Sequence, residues 1–266
     1  DSLPAPKMNP KDGYVRHPWV ELQNAQMESE SNFKSAAERR DAVAAYFGLV
    51  SWMDHNVGRL MQALQDNGLT NDTTVIYSSD HGDNVGARGL WGKSNFYQES
   101  VAVPMIMAGP DIPVGTCDTP VDLLDIAATI PDHFDLSFES EGMPLPQIAR
   151  DEPDLERVIL SQYHAVGAVT GGYMLRKGRW KLNTYVGFDP ELFDLIDDPE
   201  EANNLAADPA FAEVVRDLTA ALHAKVDPEA ANTQAFADQA ALIESYGGRE
   251  AALKLGAPGA TPPPTT

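Results

Sequence analysis

Apolar residues at Val43, Tyr46, Phe47, Val50, Met53, Val57, Leu60, Met61 and Leu64 recur at intervals of three and four, the spacing of one helix face. Ser35 precedes the run with Glu38 three residues on, in capping-box spacing, and Gly68 offers a C-terminal stop. The pattern predicts a long, packed scaffold helix from Ser35 towards Asn67. Before it, residues 1–34 show no period and read as an irregular surface segment anchored by Tyr14, His17, Pro18 and Trp19. After it, the period changes. Residues 73–79 are β-branched and apolar, a buried strand by composition, and Val101–Ala108 reads as a second, with Pro104 at its start or on an edge. Val121 to Ile130 reads as a short helix. Two continuous apolar strands with flanking helices predict an α/β sheet covered on both faces.

The pattern shifts again after about residue 135. Residues 143–146 read as an extended linker. Short apolar runs at residues 158–160, 172–176, 180–186 and 192–195 are separated only by Gly, Asp and Pro turns. Such connections leave no room for crossover helices, so this second sheet is expected to be antiparallel. Pro209 to Val226 predicts an amphipathic helix over one of its faces, and Asn232 to Ser245 a further helix. The Pro/Thr-rich end, Thr261 to Thr266, is expected to be disordered. The domain reading is therefore a larger α/β unit at 1–140, a small antiparallel unit at 141–226 and a partly helical tail at 227–266.

Charge narrows the partners. The 266 residues carry 19 basic and 40 acidic side chains, a formal charge of −21. That balance argues against nucleic acid and anionic membrane surfaces, which need basic stripes. An anion pocket here must be built from a metal, a lysine or a helix end. No apolar run approaches a membrane span. Cys117 is the only cysteine, which excludes an intrachain disulfide and leaves both cytoplasm and periplasm open. The chain starts at Asp1 and reads as if a segment upstream had been removed.

The chemistry concentrates in residues 79–100, SDHGDNVGARGLWGKSNFYQES. Asp80 and His81 follow a strand end, where open α/β sheets bind ligands, and Gly82 lets both side chains converge. A carboxylate oxygen beside an imidazole nitrogen suits a divalent cation, and Lys93, in a Gly-interrupted loop, can reach an anion held there. The plain alternative is a polar turn with a solvated lysine, because a lone Asp-His-Gly is a weak motif.

In this stretch and in four others the sequence resembles the sulfatases of the alkaline-phosphatase-like superfamily. The others are residues 46–60, 120–126, 174–182 and 191–205, in the family's order, and together they cover about 36–225. The resemblance implies that the central sheet is mostly parallel, that Asp80 and His81 are the second pair of metal ligands and that Lys93 contacts the sulfate and its leaving oxygen. It also implies one divalent ion, calcium by family precedent, although an imidazole where many members have asparagine tilts towards manganese or magnesium. The family nucleophile is a formylglycine made in a C/S-x-P-S-R-like motif. Neither that motif nor the early Asp-Asp pair is in this sequence, and the surroundings of Cys117 do not match. The chain thus looks like the C-terminal half of a sulfatase, inactive alone and expected to expose apolar faces.

His164, in Gln162-Tyr163-His164, is a substrate-contact candidate by resemblance, or else a hydrogen-bonded loop histidine. Gln162 stands where choline sulfatases tend to carry an acid, which weakens a choline reading. Arg88 either contacts substrate or forms a structural ion pair. The leading expectation is hydrolysis of a small sulfate monoester. Phosphonate or phosphate monoesters are the alternative substrates, and a non-catalytic binding or assembly protein with a decayed site is the alternative class. The apolar stripe of the tail, from Phe236 to Leu255, predicts a homo-oligomer joined through it.

Overall fold

The computed structural model describes residues 3, 5–10, 13–27 and 29–255; the expected disorder of residues 261–266 lies outside them. The order is α1 (Pro18–Met27), α2 (Ala36–Asp66), β1 (Val75–Ser78), α3 (Gln98–Val101), β2 (Met105–Ala108), α4 (Leu123–His133), α5 (Leu145–Arg150), β3 (Ile159–Tyr163), β4 (Gly172–Lys177), β5 (Trp180–Tyr185), β6 (Glu191–Asp194), α6 (Ala212–Lys225), α7 (Pro228–Ser245) and α8 (Arg249–Leu255). Among the described residues no helix is long and apolar enough to cross a membrane.

β3 to β6 form an antiparallel sheet in sequential order, as the short turns require. Alternation gives it two apolar faces. Tyr173, Leu175, Leu182 and Leu192 meet Leu218 and Leu222 of α6 on one side. On the other, Met174, Tyr185 and Phe193 meet Leu90, Phe96 and Tyr97 of the long loop and Trp19 and Val20 of α1. The second core crosses residue 140, so the small sheet and the loop that carries the chemistry are packed as one.

Residues 18–27 are not the irregular surface segment expected. They form α1, whose Trp19 and Val20 are wholly buried. Trp19 stacks on Tyr185 at 4.7 Å, and its Nε1–H donates to the Thr170 carbonyl at 3.1 Å. The helix is specified by this distant pocket rather than by its own periodicity. Likewise residues 143–146 are not a linker: Pro144 caps α5, with Pro146 in its first turn, where a missing N–H costs nothing.

α2 starts where expected. The Ser35 hydroxyl accepts from the Glu38 N–H at 3.1 Å, while the Glu38 carboxylate takes the Lys34 N–H at 2.7 Å. As scaffold it is bare, burying only Val43 and leaving Trp52 and Leu60 more than 60% exposed. The larger unit departs from expectation in its sheet as well. β1 and β2 pair antiparallel as a separate two-stranded ladder, and every ladder among the described residues is antiparallel. The cause is the 79–104 connection. It holds no crossover helix and doubles back at its root, with the Gly82 N–H donating to the Ser100 carbonyl at 2.8 Å. Nor is the pair covered on both faces, for the cross-strand partners Tyr77 and Ile106 are both exposed.

Candidate active site

The loop from Ser79 to Ala102 is shaped by backbone contacts that only certain residues permit. A Cβ on Gly82 would lie 2.1 Å from the Glu99 carbonyl oxygen, so glycine alone allows the loop to close there. Asp83 then accepts from the N–H of Val85 at 2.8 Å and of Gly92 at 3.1 Å. Asn84 donates to the Gly92 carbonyl through its backbone at 2.7 Å and its side chain at 2.6 Å. Gly92 is held from both sides, and Lys93 follows it. Val85, Arg88 and Ser94 adopt positive φ within this loop, a conformation unusual outside glycine.

The outcome is a tight polar trio. Lys93 Nζ is in hydrogen-bond contact with His81 Nε2, and His81 Nε2 lies 3.3 Å from Asp80 Oδ2. His81 Nδ1 sits 2.8 Å from the Gly82 carbonyl oxygen. A carbonyl can only accept, so this contact places a proton on Nδ1 and turns Nε2 towards the other two groups. Desolvation would raise the Asp80 pKa, but His81, two backbone N–H groups and Lys93 outweigh it and hold the carboxyl below its usual value. An ionised carboxylate beside an imidazole lone pair is a donor set that suits a divalent cation. Among the described residues no group of three or more His, Cys, Asp and Glu side chains gathers that would complete a metal shell. The pair fits one side of a metal site and needs further donors.

Asp80, His81 and Lys93 line a cavity of about 730 Å³ that continues past Cys117 to Gln162 and Arg176. Two of the expected site residues do not reach it. Arg88 is wholly buried. Its guanidinium donates to Glu99 at 2.7 Å, to the Tyr14 hydroxyl and to the carbonyls of Glu200 and Glu201, and it lies over the Tyr97 ring at 3.9 Å. With its donors engaged inside the protein, Arg88 takes the ion-pair role and not that of substrate contact. His164 packs edge-on to Tyr173 at 5.4 Å, and burial pushes its pKa down. It faces the sheet end and α7 rather than the cavity, so of the Gln162-Tyr163-His164 segment the first two residues line the cavity.

Sequence reasoning missed Asp83 and Asn84 as the residues that place Lys93; two Asx residues before a Gly-rich loop were the available signal. It also missed the bond between this loop and the small sheet. Lys181 and Glu201, both wholly buried, pair at 2.6 Å. Burial pulls the lysine pKa down and pushes that of the glutamate up. The same glutamate accepts the Gln98 N–H at 2.6 Å, and Lys181 donates to the Gln98 side chain at 3.0 Å. Gln98 opens α3, five residues beyond Lys93.

Comparison with known proteins fits this arrangement. Residues 16–136 match the sulfatase family model, and residues 86–227 match that of the N-sulphoglucosamine sulphohydrolase C-terminal region. The choline-sulfatase of Rhizobium meliloti is 36% identical over 203 residues, covering 71% of this chain and 39% of that protein. Human arylsulfatase K is 29% identical over 248 residues, covering 85% and 44%. The crystal structure of the phosphonate monoester hydrolase of Agrobacterium radiobacter superposes with a TM-score of 0.58 at 26% identity, over 67% of this chain and 40% of that one. The chain thus spans about two-fifths of the length of the curated relatives it matches. With more than half of its residues matched by the second of these models, and the polar trio in place on the segment matched by the first, the chain belongs to the sulfatase family.

Proposed function

We propose that this chain supplies the leaving-group side of a sulfate monoester hydrolase. The observation that carries the reading is Lys93 Nζ against His81 Nε2, with the Asp80 carboxylate beside it, in the wall of a cavity of about 730 Å³. In the reaction Lys93 donates to the oxygen departing with the alcohol and offsets its developing negative charge. His81, its proton fixed on Nδ1, and ionised Asp80 would contribute two donors to a divalent cation, calcium by family precedent or else manganese or magnesium. Bound there, such an ion would supply positive charge to the sulfuryl oxygens. The nucleophile, expected to be formylglycine, the other metal donors and the parallel strands of the central sheet would come from sequence outside these residues. The bare faces of α2 and of the β1–β2 ladder support that reading.

A phosphonate or phosphate monoester is the second reading, favoured by the likeness to the phosphonate monoester hydrolase. The test is kcat/KM of the full-length polypeptide on 4-nitrophenyl sulfate against 4-nitrophenyl phenylphosphonate. A preference for the sulfate supports the first reading and the reverse supports the second. Turnover of neither, with a C/S-x-P-S-R-like motif missing upstream, leaves a non-catalytic binding or assembly protein.

A further inference from the structure

The cavity holds a cation that the chemistry above does not use. Arg176, near the end of β4, lines it together with Ser161 and Gln162 of β3, and β3 is the edge of its sheet. Arg176 Nε is buried and has no hydrogen-bond partner, and among the described residues no carboxylate lies within ion-pair distance of its guanidinium. Ser161 and Gln162 also make no side-chain hydrogen bond among the described residues. The contrast with the other partly or wholly buried arginines is clear: Arg88 holds Glu99, Arg157 holds Asp125 and Arg179 holds Asp194. A half-buried guanidinium without an anion is a costly arrangement, most of all in a chain with a surplus of 21 negative charges and hence no shortage of partners. Its planar fork matches the paired oxygens of a carboxylate or a sulfate. The cavity runs from Lys93 to Arg176, with Asp118 and Asp122 also in its lining, so a substrate whose ester lies at Lys93 can extend along it towards the guanidinium.

We propose that Arg176, assisted by Ser161 and Gln162, binds a second anionic group of the substrate, a carboxylate or a further sulfate, while Lys93 meets the ester that reacts. The proposal deepens the sulfate-ester reading and rests on it.

The test uses the full-length polypeptide and matched sugars: a methyl glucoside monosulfate, its disulfate, and the methyl glucuronide bearing the first sulfate at the same ring position, with the 2-, 3- and 4-sulfates each tried. The expected result is a kcat/KM at least ~10-fold higher for one dianion than for the monosulfate, since charge-assisted hydrogen bonds are the strong ones. Which dianion wins tells a carboxylate from a second sulfate. Arg176→Met should bring the ratio near one, and Arg176→Lys, which keeps charge and loses the fork, should fall between. No dianion preference in the wild type overturns the proposal. So does a preference that survives Arg176→Met, even if all rates fall together, because that marks a purely structural arginine. If no sugar is hydrolysed the sulfatase reading fails separately. Calorimetric binding of the same three compounds then still decides whether Arg176 selects the dianion. Should Arg176→Met melt below the assay temperature, Gln162→Ala with Ser161→Ala replaces it and must reduce the same ratio.

Discussion

The two sheets of this molecule bury their strands in opposite ways. β4 to β6 lie between α6 on one face and α1 with the long loop on the other, and Tyr173, Leu182 and Leu192 are shielded from solvent. β1 and β2 form a ladder of four residue pairs with an exposed face, beside a 31-residue helix that buries a single residue. The first region is complete within the chain. The second presents apolar surface that isolated soluble domains rarely leave bare. The loop bearing Lys93 leaves β1 in the open region but is tied to the closed one through Arg88, Gln98, Lys181 and Glu201. Its geometry therefore depends on the closed core and not on the ladder it follows.

The strongest way to break that tie is to unbalance the buried pair. Lys181→Met leaves the Glu201 carboxylate without its cation and should cost ~3–5 kcal/mol, while Lys181→Met with Glu201→Met should cost less than either change alone. Denaturant titration of the set measures it, and a double variant as unstable as the sum of the singles would show that the two charges act independently. Next in size is the contact proposed for Lys93. Lys93→Ala in the full-length polypeptide should lower kcat by ~10²–10³-fold with bound metal unchanged. The loss should shrink for esters with good leaving groups; equal losses across leaving groups would make Lys93 a positioning residue only.

The third test concerns Asp125, whose carboxylate is buried and held by Arg157 at 2.6 and 2.7 Å. Desolvation would raise its pKa, but the Arg157 hydrogen bonds and the N–H groups of Met143 and Asp122 hold it below the usual range. A carboxyl depressed in the folded state stabilises above its unfolded pKa and loses that contribution as pH falls through the folded value. Asp125→Asn should therefore cost about 2–3 kcal/mol near pH 7, and the gap to wild type should narrow below about pH 4. A gap that is constant in thermal melts from pH 7 to 3 would contradict it. Smaller still, Leu60→Ala on α2 should change the stability of this 266-residue chain by no more than about 0.5 kcal/mol, as an exposed position. In the full-length protein the same change should cost ~2–5 kcal/mol if other sequence covers that face; equal small effects in both would leave α2 bare in both. Last, Phe236, Leu242 and Leu253 of the tail are exposed, and we propose that they join two copies of the chain. Removing residues 227–266 from the full-length protein should lower the number of subunits measured by light scattering, and an unchanged number of subunits would return the tail to its own subunit.

What the sequence made legible was local. The Ser35 cap, the antiparallel turns of β3 to β6, the face of α6 and the convergence of Asp80 with His81 are all written in short-range pattern and turn chemistry. What it concealed depends on distant partners. α1 has no apolar period of its own and is held by Trp19 reaching Thr170 and Tyr185. The reversal of β2 against β1 is decided by the closed root of the loop at Gly82. Arg88 stands apart from other basic residues in sequence, whereas Arg176 sits in the basic run Arg176-Lys177-Gly178-Arg179. The isolated one is held by Glu99 and the carbonyls of Glu200 and Glu201, while among the described residues no carboxylate is within ion-pair distance of the other.

The bond from the Trp19 indole to Thr170 spans 151 positions, and this has a consequence for the order of assembly during synthesis. α1 leaves the ribosome well before Tyr185 and Phe193, which enclose its tryptophan and emerge about 170 residues later. At roughly 5–20 residues per second that is on the order of ten to thirty seconds in which Trp19 and Val20 lack the sheet side of their core. Contacts of such high sequence separation form late. The loop bearing Lys93 packs into the same late core, so the site should acquire its geometry only after β6 has been made, as one of the final events of folding.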